Sequence, residues 1–163
     1  PSGHHLLAAE AVETLKRELL PLANLITRNL PEAAVLVGMT QQEWQQNPQQ
    51  GITVLSQLNT PAVLLKGGHD HQQANSDDLL IQSGDSRHFC APRIATKNTH
   101  GTGCSLSSAI ASYLAQGHAL KEAVEKAKQY IHQTILHADQ LKIGQGYGPV
   151  HHFYQLQMDK SEA

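Results

Sequence analysis

Apolar positions along the chain follow two periods, and each period predicts a different kind of element. Leu7, Ala11, Val12, Leu15, Leu19 and Leu20 recur at three- and four-residue steps, which predicts a helix over 8–20 stopped by Pro21. The apolar run 22–27 has strand length and is bounded by Pro21 and the turn signal Asn29-Leu30-Pro31. A short helix follows over 33–38. The Gln-rich stretch after it reads as a helix broken at Pro48 and resumed from Ile52 to Leu58, because Val54, Leu55 and Leu58 keep helical spacing. Pro61 to Leu65 runs without interruption into Lys66-Gly67-Gly68, the pattern of a buried strand entering a glycine turn. Residues 78–82 and 87–91 predict a hairpin across Ser83-Gly84-Asp85-Ser86, with Cys90 a small core hydrophobe in its second strand. Leu106, Ile110, Tyr113 and Leu114 mark a helix that Gly117 ends. Ala123, Val124, Ala127, Ile131 and Ile135 mark the buried face of another over 120–136, with Lys121, Glu122, Glu125, Lys126 and Lys128 on its solvated side.

Helices that alternate with strands in this way are what α/β architecture produces. At 163 residues the chain is long enough for one domain with a sizeable core. A formal charge of −2 with no block of Lys or Arg gives no footing for a nucleic-acid or anionic-membrane partner. No apolar run has the length of a membrane span, and Pro1-Ser2-Gly3-His4-His5 lacks the pattern of a secretory signal, so a soluble cytoplasmic protein is expected. Cys90 and Cys104 stand in different local settings and in no C-x-x-C pair, which fits a reducing compartment.

Three places carry candidate chemistry. Gly101-Thr102-Gly103-Cys104 feeds directly into a helix, so unpaired N–H groups and the positive end of the helix dipole face one small volume suited to an anion. Glycine lets the backbone approach that anion without a Cβ in the way. Asn29 with Glu32 three residues on spells a capping box, and taken alone that structural role explains the pair. Lys66 ends a predicted strand, where ligands of open α/β sheets gather, although a lone Lys there is ordinarily solvated. His69, Asp70 and His71 have no further ligand cluster and read as loop residues. The G-x-G-x-G of 144–148 lacks the strand and helix of a dinucleotide fingerprint, and adjacent His151 and His152 would face opposite ways.

The run KNTHGTGCSLSSAIASYLA, residues 97–115, resembles the signature loop of the hydroxymethylpyrimidine/phosphomethylpyrimidine kinases of thiamine synthesis, a branch of the ribokinase superfamily. That superfamily usually ends the loop G-x-G-D; Cys in place of Asp, as at Cys104, is typical of this branch. Three further segments are similar to the family's elements. They are TRNLPE at 27–32, with Arg28 where the branch usually has Pro, VLLKGGH at 63–69, and GQGYGPVHHF at 144–153.

The resemblance implies a ribokinase-like three-layer sandwich with a mainly parallel central sheet. It covers almost the whole chain but only the C-terminal part of the family's domain, so residues 1–163 are expected to be one partial domain whose N-terminal half is absent. It implies ATP-dependent phosphorylation of a small aminopyrimidine alcohol and then of its monophosphate. Backbone groups of Gly101, Thr102 and Gly103 would hold the moving phosphoryl group and Cys104 would accept the alcohol's proton. A thiol can do so where a helix N-terminus favours the thiolate. Thr27, Asn29, Lys66 and Thr99 would contact the nucleotide, and Glu32 with Asn29 would organise Mg²⁺ through water. Self-association is implied as well. Two other readings stay open at this point: a kinase of pyridoxine or pyridoxal type, and a noncatalytic nucleotide-binding fragment.

Overall fold

The computed structural model describes residues 9–67 and 75–158. It divides into two compact units, residues 1–90 and 91–163, which are taken one at a time. Leu7, Ala8, His69, Asp70 and His71 lie outside the described residues.

In the first unit, helix α1 (Ala9–Thr14) continues through a π-helical turn, Leu15–Leu19, and a 3₁₀ turn, Leu20–Leu22. Pro21 therefore does not stop the helical stretch. It sits in the first turn of the 3₁₀ segment, where no intrahelical N–H bond is required of it. Leu22, expected in a strand, belongs to this turn and is 79% exposed. Strand β1 (Ile26–Asn29) begins later, where β2 (Ala62–Lys66) offers it a partner.

Helix α2 (Leu30–Val37) grows directly out of β1 and ends at Gly38. Helices α3 (Gln41–Gln46) and α4 (Pro48–Ser56) follow. The helix breaks at Pro48 as expected, with Asn47 before it non-helical at φ −142°, but it resumes at Pro48 itself and not at Ile52, since a missing N–H costs nothing in the first turn and the Asn47 side chain accepts from Gln50 N–H at 3.2 Å. Trp44 is buried with Leu20, Ile26, Leu36 and Leu55 against one face of β2 and β3, formed by Val63, Leu65, Leu79 and Ile81.

Strand β3 (Asn75–Gln82) and strand β4 (Asp85–Pro92) complete a sheet of order β1-β2-β3-β4. The sheet is mixed: β1 and β2 are parallel, from Ile26↔Val63 to Asn29↔Lys66, while β2 and β3 are antiparallel, from Ala62↔Gln82 to Leu65↔Leu79. The hairpin turn is shorter than its sequence suggested, just Ser83-Gly84. Both residues have positive φ, 52° and 79°, the geometry whose twist matches that of paired strands. Cys90 corrects an expectation. Alternation along β4 gives Phe89 the buried side at 7% exposure and turns Cys90 outward, so the thiol is exposed and lies outside the core.

In the second unit, helices α5 (Thr102–Ala115) and α6 (Leu120–Leu136) pack together, with Leu106 and Ile110 on the first and Ala123, Val124, Ala127 and Ile131 on the second buried. Gly117 ends α5 as expected, at φ 90°. His118 N–H reaches Tyr113 O at 3.2 Å and Gly117 N–H reaches Leu114 O at 3.0 Å, the two bonds of a Schellman motif. Lys128, assigned to the solvated side of α6, is instead 8% exposed, because helical spacing places it between Val124 and Ile131. A 3₁₀ turn (Ala138–Gln140) and helix α7 (Tyr154–Met158) close the described chain.

Candidate functional site

Within the first unit, the chemistry expected at Thr27, Asn29, Glu32 and Lys66 gathers at the C-terminal ends of the parallel pair. Asn29 and Lys66 are register partners and the last residues of β1 and β2. Thr27 lies two residues before Asn29 and so shares its face of the sheet. Asn29 also caps α2. Its Oδ1 accepts from Glu32 N–H at 2.8 Å, while its own N–H and Nδ2 donate to the two carboxylate oxygens of Glu32 at 3.2 and 2.9 Å. The box is thus complete, and it fixes where the Glu32 carboxylate stands. Arg28 reaches Glu32 Oε2 at 4.0 Å from the next position along the strand. Just past Lys66, Gly67 N–H donates to Asp78 Oδ1 at 3.0 Å, and Asp78 is 5% exposed, so the residue after the lysine is anchored to β3.

Within the second unit, Gly101 precedes α5 with φ 89°, a conformation that a side chain would strain. No side chain caps the helix. The N–H groups of Gly103 and Cys104 therefore have no intrahelical acceptor, and Thr102 N–H makes only a long contact of 3.4 Å to Thr99 O. Thr99 N–H is bonded to Lys97 O at 3.1 Å, and regular helical bonding starts with Ser105 N–H to Gly101 O at 2.9 Å. Unlike α2 and α3, whose first turns are closed by Asn29 and Thr40, α5 presents an open N-terminus.

Cys104 is exposed and lines a cleft of about 550 Å³ with Ser105, Ser108, Tyr113, Tyr130 and His152. Ser105 Oγ and His152 Nε2 share a hydrogen bond of 2.6 Å, and the Tyr130 hydroxyl donates to His152 O at 3.2 Å. Burial, followed by the nearby Tyr154 and Tyr113, raises the Tyr130 phenol above its usual pKa and keeps it a donor. Sequence reasoning found neither His152 as a neighbour of this helix nor Tyr130. The bonded pair Ser105 and His152 is separated by 47 residues and carries no spacing signal. The tail 144–153 has its own close approach. A Cβ on Gly148 would collide with the Asn98 side chain, and His100 pairs with Pro149 in a short parallel bridge. Among the described residues, no three His, Cys, Asp or Glu side chains are grouped to hold a metal ion.

An open helix N-terminus behind a G-x-G turn, with an exposed thiol beside it, is the arrangement expected of one kinase family, and residues 1–151 match that family's model, phosphomethylpyrimidine kinase. The chain belongs to the phosphomethylpyrimidine kinase family. A curated relative, the hydroxymethylpyrimidine/phosphomethylpyrimidine kinase of Salmonella typhimurium, is 43% identical over 153 residues; these are 94% of this chain and 57% of that protein. Bacillus subtilis pyridoxal kinase, solved as an ADP complex, superposes with a TM-score of 0.81 at 30% identity, over 93% of this chain and 56% of that one. Staphylococcus aureus pyridoxal kinase in complex with AMP-PCP and pyridoxal gives 0.81 at 29% identity, over 92% of this chain and 55% of that one. This phosphomethylpyrimidine kinase family member therefore spans a little over half the length of its relatives. Its α/β architecture, with a mixed sheet, is ribokinase-like.

Proposed function

We propose that this chain forms the phosphoryl-transfer part of a hydroxymethylpyrimidine/phosphomethylpyrimidine kinase that uses ATP as donor. The observation that carries the reading is the open N-terminus of α5 beside an exposed Cys104. Phosphoryl transfer leaves the protein little covalent work, so fixed dipoles aimed at the moving group are its main contribution. Here the N–H groups of Thr102, Gly103 and Cys104 would receive the oxygens of that group. In the first step the alcohol oxygen bonds to the γ-phosphorus, the bond to the ADP oxygen breaks, and the hydroxyl proton passes to the Cys104 thiolate. Lys66 would stand against the phosphates as a point charge. Thr27 and Thr99 would complete the nucleotide contacts.

The donor set also suits Mg²⁺. Glu32 offers a carboxylate, 47% exposed at the side chain, whose oxygens keep acceptor positions beyond those used in the capping box. Glu32 would hold the ion through water, with Asn29 fixing the carboxylate; the ion, when bound, offsets phosphate charge.

Likeness to the two pyridoxal kinases at a TM-score of 0.81 supports a second reading, a kinase for a pyridoxal-type ring. The two separate when the full-length protein is given ATP with the hydroxymethylpyrimidine, with its monophosphate, or with pyridoxal, and products are followed by ³¹P NMR. Turnover of the pyrimidine and its monophosphate is expected. Turnover of pyridoxal alone would replace the first reading by the second, and ATP binding without product would overturn both.

A further inference from the structure

We propose that Asp139 is a positioning residue for the anion-holding turn of α5, acting through Asn98. The proposal rests on the phosphoryl-transfer reading above. Asn98, three residues before Gly101, uses both ends of its amide: Oδ1 accepts from Gly148 N–H at 3.0 Å, and Nδ2 donates to Asp139 Oδ1 at 2.8 Å. The Thr96 hydroxyl donates to the same Asp139 oxygen and accepts from Asn98 N–H at 3.1 Å. Thr96, Asn98 and Asp139 thus form a closed ring of hydrogen bonds around one carboxylate oxygen.

From that ring the tail is carried to the turn itself. Gly148 lies so close to Asn98 that a Cβ there would overlap its Oδ1. Its carbonyl accepts from His100 N–H at 3.0 Å, and Val150 N–H donates to His100 O at 3.3 Å, which ties the tail to the residue just before Gly101. At its other end Asp139 stands in the 3₁₀ turn that follows α6, beside Ala138 at 0% exposure, and His151 N–H is bonded to Thr134 O of α6 at 2.9 Å. The packed helix pair therefore holds the turn whose N–H groups face the anion, and Asp139 is the link. Both donors reach a single oxygen, so the ring requires an acceptor at this position and not a charge.

The test compares Asp139→Ala, Asp139→Asn and Thr96→Val in the full-length protein, by amide hydrogen exchange at Asn98, His100 and Gly148 and by steady-state kinetics. Asp139→Ala is expected to speed exchange at these amides at least ~10-fold and to lower kcat by roughly 10- to 100-fold, with KM for ATP changed far less, because a small misplacement of the turn acts on the transferring group. Asp139→Asn, whose amide oxygen still accepts, should match the parent in both readouts. Thr96→Val should fall between and serves in place of Asp139→Ala if that variant does not fold. Unchanged exchange, unchanged kcat, or an Asp139→Asn variant as impaired as Asp139→Ala would overturn the proposal. A parent protein that transfers no phosphoryl group would instead overturn the functional reading, while the exchange comparison would still decide whether Asp139 holds the turn.

Discussion

Asn29 and Lys66 are register partners across the only parallel pair among the described strands, each the last residue of its strand. In-register residues of neighbouring strands point to the same face, so an amide that fixes a carboxylate and an ammonium suited to phosphate are offered side by side. Strand ends of this kind are where α/β sheets bind their ligands.

If Lys66 meets the nucleotide phosphates there, Lys66→Ala should lower kcat/KM for ATP by roughly 100-fold, the scale of one lost electrostatic contact to a transferring group. Lys66→Arg should restore only part, because a planar guanidinium does not replace a compact ammonium. Steady-state kinetics with ATP varied checks both, and an unchanged kcat/KM in Lys66→Ala would remove the lysine from the site.

Glu32 serves a helix end and, in our proposal, a hydrated ion, and the two roles separate by substitution. Glu32→Gln keeps a carbonyl oxygen for Asn29 N–H but loses the charge. Its thermal midpoint should therefore stay near the parent's while the Mg²⁺ concentration for half-maximal rate rises several-fold. Asn29→Ala should lose about 1 kcal/mol of stability with the cap, measurable by urea unfolding. A Glu32→Gln protein with parental Mg²⁺ dependence would leave Glu32 with the capping role alone.

If the chain serves the two phosphorylations proposed above, Cys104 should matter unequally to them. The alcohol must give up a proton as it attacks, whereas a phosphate monoester, with a second pKa of about 6, is largely ionised at neutral pH and brings its own nucleophilic oxygen. Cys104→Ala is expected to slow the alcohol step about 100- to 10,000-fold, the range of general-base catalysis, and the monophosphate step much less. Cys104→Asp should recover part of the alcohol step. Equal losses in both steps, followed by separate assays of each acceptor, would contradict the role of base.

Away from the site, Glu43 gives a pH dependence of known sign. The Thr40 backbone N–H, then its hydroxyl, hold the Glu43 carboxyl below the ordinary 4.5 of a glutamate. A depressed folded-state pKa contributes stability that is present above the unfolded value and is lost as pH falls through the folded one. Carboxyl NMR should find Glu43 titrating below 4.5 and moving back toward it in Thr40→Ala; titration at or above that value in the parent would refute the assignment.

The helices of the second unit were legible at their boundaries, because 3.6-residue periodicity and the Gly117 stop are local signals. So was the Asn29 capping box, which spans four residues. Less legible were the first unit's strands. β1 starts four residues later than its apolar run suggested, and β3 extends back to Asn75 through polar residues, since strand limits depend on where a partner lies. The break at Pro48 was legible, but its restart was not: α4 begins at Pro48 and not at Ile52, and past Pro21 the chain stays helical to Leu22, because proline is tolerated in a first helical turn.

Local pattern alone determined the α/β alternation, the open glycine turn before α5 and the residue types able to meet an anion, because each depends on neighbours a few positions away. Tertiary structure decided the rest. It turned Cys90 out and drew Lys128 in, set Asn29 beside Lys66 from 37 residues away, and joined Asn98 to Asp139 and Gly148 across 41 and 50 residues. Pairings over such distances arise from backbone register and helix packing, which no local spacing encodes.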